Sequence, residues 1–139
     1  MEELIQYGNV ATAIVPIYGT TGHALTATAV DARGFDRVCF MIQTGAMEAL
    51  CVIEMEVTQS TASAGSYTLI SSSALTDIAS TAGASKVYVI DVPVSGTSPY
   101  LKLRGTCGTA RGYASAVAFK YRGSGIQPNT DGYTQYKHL

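Results

Sequence analysis

The 139-residue sequence has no tryptophan, only three cysteines and four prolines, and 14% charged residues. Each shortage excludes something. Three cysteines (Cys39, Cys51, Cys107) without a CxxC spacing make neither a disulfide framework nor a zinc site. They read as small apolar fillers of strands in a chain made in a reducing compartment. No apolar run approaches the roughly 20 residues that span a bilayer, so no membrane partner is expected. The N-terminus, Met-Glu-Glu-Leu-Ile-Gln, is acidic and lacks the apolar segment of a signal peptide. No stretch of ten or more residues holds a 3.6-residue period, which excludes a helical bundle. A net charge of −1 and a pI near 6.0 argue against a nucleic-acid partner.

Small residues and alternation are abundant. Ser, Thr, Ala and Gly supply 60 residues, which favours many short strands with turns. The length suits one domain able to hold a core without staples. Period-2 patterns predict strands over 10–15, 25–30, 37–44, 50–59, 67–70, 86–94, 100–106 and 113–122. Val38, Phe40 and Ile42 share a face, as do Cys51, Ile53, Met55 and Val57. Tyr88, Ile90, Val92 and Val94 line another, and Leu101 and Leu103 alternate with Lys102 and Arg104. In 113–122, Tyr113, Val117, Phe119 and Tyr121 oppose Ala114, Ala116 and Ala118. These alanines permit close approach of another backbone or sheet. Pro93 marks an edge or a bulge. About eight short strands at regular spacing predict an all-β antiparallel sandwich of jelly-roll type over 1–122.

Two segments stand apart. Residues 60–85 hold 20 Ser, Thr, Ala or Gly among 26, and read as a long loop with one short strand and a helical turn at 74–78. Residues 123–139 form a polar C-terminal arm carrying Tyr133 and Tyr136, either frayed or ordered on a neighbouring subunit. Residues 1–85 carry a net −6 and residues 86–139 a net +5, so copies can dock by complementarity unless the halves mix within one domain.

Chemistry is sparse. Glu54 and Glu56 share a strand face but have no His or Asp/Asn/Gly loop beside them, and read as a solvated face. His23 and His138 lack a partner that would orient an imidazole. The glycine-rich stretch 105–112 is not a GxxxxGK[ST] loop, since a strand rather than a helix follows, and reads as a hairpin. Lys102, Arg104, Lys120 and Arg122 form a basic patch if their strands are neighbours, either a contact for an acidic protein surface or a plain solvated face. The expectation is therefore no catalytic residue, no cofactor and no metal. The candidate interface residues are Lys102, Arg104, Lys120, Arg122, Tyr133 and Tyr136.

Several segments carry a resemblance. They are Tyr7-Gly8-Asn9, Gly34-Phe35-Asp36-Arg37-Val38-Cys39-Phe40, Val89-Ile90-Asp91-Val92, Ser98-Pro99-Tyr100-Leu101-Lys102-Leu103-Arg104, and Ala116-Val117-Ala118-Phe119-Lys120-Tyr121-Arg122 followed by Pro128. In this order they resemble the cement (decoration) proteins of tailed bacteriophages. That resemblance implies a jelly roll, a homodimer on the outer surface of the virion, and the major capsid protein as partner. It implies synthesis in the host cytoplasm and no enzyme activity. A carbohydrate-binding jelly-roll module of a phage fibre is the alternative expectation.

Overall fold

A computed structural model describes residues 8–19, 24, 25, 27–123 and 135–139. The strands are β1 (Gly8–Gly19), β2 (Val30–Asp31), β3 (Arg37–Met47), β4 (Val52–Ser60), β5 (Thr68–Leu69), β6 (Ile78–Ala79), β7 (Val87–Pro93), β8 (Tyr100–Cys107), β9 (Gly112–Tyr121) and β10 (Gln135–His138). One helical turn, α1 (Ser80–Gly83), separates β6 from β7. One sheet has the order β1-β9-β3-β7-β10, and the other has β2-β8-β4-β5 with β6 also on β4. Most successive strands change sheets, so the chain winds around the sandwich. The interleaved orders 1-9-3-7 and 2-8-4-5 are those of a jelly roll. The chain is thus an all-β sandwich, antiparallel among the described strands except for β10, which adds to β7 in parallel.

The predicted faces are the buried ones. Val38, Phe40, Ile42, Ile53, Val57, Ile90, Val92, Leu101 and Leu103 are fully buried between the sheets. Alternation alone forces this, because a strand with one apolar face hides it only by stacking on another sheet. In β9 the inward residues are Ala114, Ala116 and Ala118, so the close approach they permit is to the second sheet of the same chain.

Several expectations are corrected. Among the described residues of 25–30, Val30 alone is in a strand, β2, and Ala27 makes an isolated bridge, as does Ala24 just before the segment. The 105–112 stretch is no hairpin, since it carries the chain from β8 in one sheet to β9 in the other. It lies beside the β3–β4 crossing, where Glu48 N–H donates to Arg111 O at 2.9 Å and Arg111 N–H to a Glu48 carboxylate oxygen at 3.0 Å. The helical turn falls at Ser80–Gly83, not at 74–78. The 60–85 segment carries the short strand expected at 67–70, as β5, together with the unexpected β6, and it buries Ser73, Leu75 and Ile78.

That segment is an interrupted edge strand. β8 occupies one edge of β4, while β5 and β6 take the two ends of the other. Between them Ser73 replaces a strand partner. Its hydroxyl accepts from Val57 N–H and donates to Val57 O, both at 3.0 Å. Leu75 N–H donates to Met55 O at 2.9 Å. The β4 edge is closed by short pieces rather than by one long strand open to pairing. Ser73→Ala leaves a buried Val57 N–H without its acceptor, so it should lower stability by about 1–3 kcal/mol. Urea unfolding at unchanged slope reads this, and an unmoved midpoint would refute the role given to Ser73.

Candidate functional site

The four proposed basic contacts do not form one patch. Lys102 and Arg104 lie on the outer face of β8, while Lys120 is at the end of β9 in the opposite sheet and Arg122 just follows it. Each is engaged locally. The Lys102 ammonium sits 4.5 Å from the Tyr67 ring centroid, and Arg104 is ion-paired with Glu56. Lys120 donates to Asp31 O at 3.0 Å and lies over Phe35, and Arg122 donates to Gly34 O at 3.0 Å. Glu54 accepts from the Thr106 hydroxyl at 3.2 Å. Asp31 accepts a fork of bonds from Arg33, which holds its carboxyl down at about 2. The acidic and basic halves therefore mix within the domain, because β1 and β3 alternate with β9 and β7 in one sheet.

Tyr133 and His23 lie outside the described residues. Tyr136 is in register with Val89 and His138 with Asp91, on β10 of the same chain. The end of the C-terminal arm thus seats on its own sheet. Among the described residues, no three of His, Cys, Asp or Glu converge as metal ligands do.

The surface that stands out is the outward face of the sheet β1-β9-β3-β7. Cross-strand pairs put Val10 with Phe119, Thr12 with Val117, Met41 with both Val117 and Val89, and Tyr18 with Tyr113. Val10 is 62% exposed, Tyr113 48%, Val117 43% and Met41 41%. Tyr18 and Tyr113 stack with centroids 4.3 Å apart. A shallow hollow of about 290 Å³ opens among Met41, Gln43, Val87, Ser115 and Val117. In β9 the larger side chains face out and the alanines face in. Both faces of 113–122 are apolar, so period 2 identified them without saying which was inside.

At one end of this face lies a polar cluster that sequence reading passed over. Asp91 is wholly buried, although it sits on the outward side of β7. Arg37 Nε donates to it at 3.1 Å, and the Tyr121 hydroxyl lies 2.8 Å from both of its oxygens. Arg37 Nη2 also donates to Leu139 O at 2.6 Å, while Leu139 N–H donates to Asp91 O at 3.0 Å. Beside them the Cys39 thiol is pushed up to about 12, first by burial, then by the Asp91 charge, against the opposing Arg37. The sequence signal was present: a charged residue inside the apolar run Val-Tyr-Val-Ile-Asp-Val must be paired if that strand is buried.

No protein-family model matches this chain, and no curated protein matches it.

Arg37→Leu strands the Asp91 carboxylate and should cost about 3–5 kcal/mol in a urea melt, whereas a near-neutral result would contradict the pairing. The thiol gives a pH test. Folded Cys39 keeps its proton to about 12, against an ordinary value of 9.0. The unfolded chain thus releases a proton first, and stability should fall as pH rises from 9 towards 12. Urea midpoints at pH 8 and pH 10 should differ in that direction, and Cys39→Ala should shrink the difference.

Proposed function

We propose that this protein is a capsid-stabilising structural protein that binds the outside of an assembled phage shell and clamps neighbouring major capsid subunits. One observation carries the reading. The five-stranded sheet faces its alanines inward and presents Val10, Met41, Tyr113 and Val117 outward. Exposed apolar side chains gathered on one face of a small domain, here interspersed with Thr12, Gln43 and Ser115, mark an interaction surface. The resemblance of its strand-and-turn segments to cement proteins implies the same role, on the same kind of fold.

The mechanism is mass action. A module that binds the assembled shell and not loose subunits stabilises the shell by its binding free energy at each site. A homodimer, or a module touching two capsid subunits, multiplies modest contacts into firm retention. In this reading the protein is made in the host cytoplasm, resides on the virion exterior, and performs no catalysis. The carbohydrate alternative has a narrower footing. The Tyr67 and Tyr100 rings lie under Lys102 and Arg33, so the Tyr18–Tyr113 stack is the exposed aromatic platform among the described residues.

Val117→Asp and Met41→Asp place a charge on the outward face without touching the core, so fold stability should move by about 0.5 kcal/mol or less. Retention on capsids should fall tenfold or more, and the stripped capsids should rupture at lower temperature. Undiminished retention would remove this face as the attachment surface. Capsids that keep their heat resistance without the protein would overturn the function.

A further inference from the structure

The β7 edge is filled unusually. β10 is four residues long and forms the one parallel pair among the described strands. Parallel pairing is slightly weaker per residue than antiparallel pairing. Its hold on Asp91 and Arg37 is through main-chain atoms of Leu139, which every copy of the chain offers alike.

The connection is also long for its task. Tyr121 is level with Arg37 and Pro93, and β10 begins level with Tyr88, three strand positions across the sheet. At about 4.8 Å per strand and 3.3 Å per residue, the gap is roughly 22 Å. Residues 122–134 can extend to about 43 Å, nearly twice that. By length alone, residues 135–139 are within reach of their own β7 edge and of a neighbour's.

We propose that the β7 edge is a strand-exchange site, which takes residues 135–139 of its own chain when copies are dilute and those of a second copy when copies are crowded. The contacts made are the same in both cases, so the balance between them rests on effective concentration, which for a short tether is of millimolar order. The occupant is specified by the site. It must be an extended segment that pairs in parallel with Tyr88–Asp91 and brings a main-chain oxygen to the Arg37 guanidinium, which donates to it.

The test uses two full-length variants, Val89→Cys and Tyr136→Cys, at positions that are neighbours in register. They are mixed one to one, incubated at a series of concentrations, and joined with a short bismaleimide. Exchange predicts a covalent heterodimer in the mixture and in neither variant alone. While small, its fraction should rise about tenfold for a tenfold rise in protein. A chain carrying both substitutions should crosslink internally when dilute. Internal crosslinking without heterodimer at any concentration would show the strand bound in its own chain alone and overturn the proposal. Absence of internal crosslinking would remove the register it rests on. Neither outcome depends on whether the protein binds capsids.

Discussion

A carboxylate with no exposure to water organises one side of this molecule. Removing an unpaired charge from water costs several kcal/mol even after relaxation, so Asp91 is tolerable only where partners converge on it. Arg37 comes from β3, Tyr121 from β9, and Leu139 from the segment following β10. Three strands and the C-terminal segment are therefore held at one level of the sheet. A one-residue slip of β7 would turn Asp91 towards Phe40 and the apolar interior and turn Ile90 outward. The ion pair contributes less as net stability than as a penalty on every other register.

With the register held, the apolar volume has to be shared out. Inward alanines on β9 leave space that Phe40, Ile42 and Ile14 fill from the neighbouring strands. The same strand's Tyr113, Val117 and Phe119 are then committed to the opposite side. Interior packing and exterior stickiness are thus two consequences of one choice of side chains along ten residues. A β9 with its large residues inside would overfill a sandwich whose sheets already meet closely.

The sequence made the architecture readable wherever one face was apolar and the other polar. β4 alternates Ile53, Met55 and Val57 with Glu54 and Glu56, and β8 alternates Leu101 and Leu103 with Lys102 and Arg104. Such strands declare their inner side. Three features escaped for physical reasons. In 113–122 both faces are apolar, so period alone could not say which was buried. Strand neighbours are a property of topology, which is why Lys102 and Lys120 fell on opposite sheets. The role of Ser73 depends on a side chain imitating a backbone partner, and nothing in a Ser-rich stretch distinguishes that serine from those beside it.

The closing of edges and the exposure of a face belong to the same design problem. An open strand edge pairs with almost any extended chain, because backbone hydrogen bonding carries little sequence information. Here β4 is covered by β5, β6 and Ser73, and β7 is covered by β10 over Tyr88–Asp91. An apolar face is different. Its attraction is non-directional, but it gains full value only against a surface of matching shape, since voids forfeit contacts and trapped polar groups are penalised. A module that guards these two edges and offers a face thereby trades indiscriminate association for shape-dependent association. That is the property the proposed role would require, since a capsid clamp has to ignore loose subunits and hold their assembled surface.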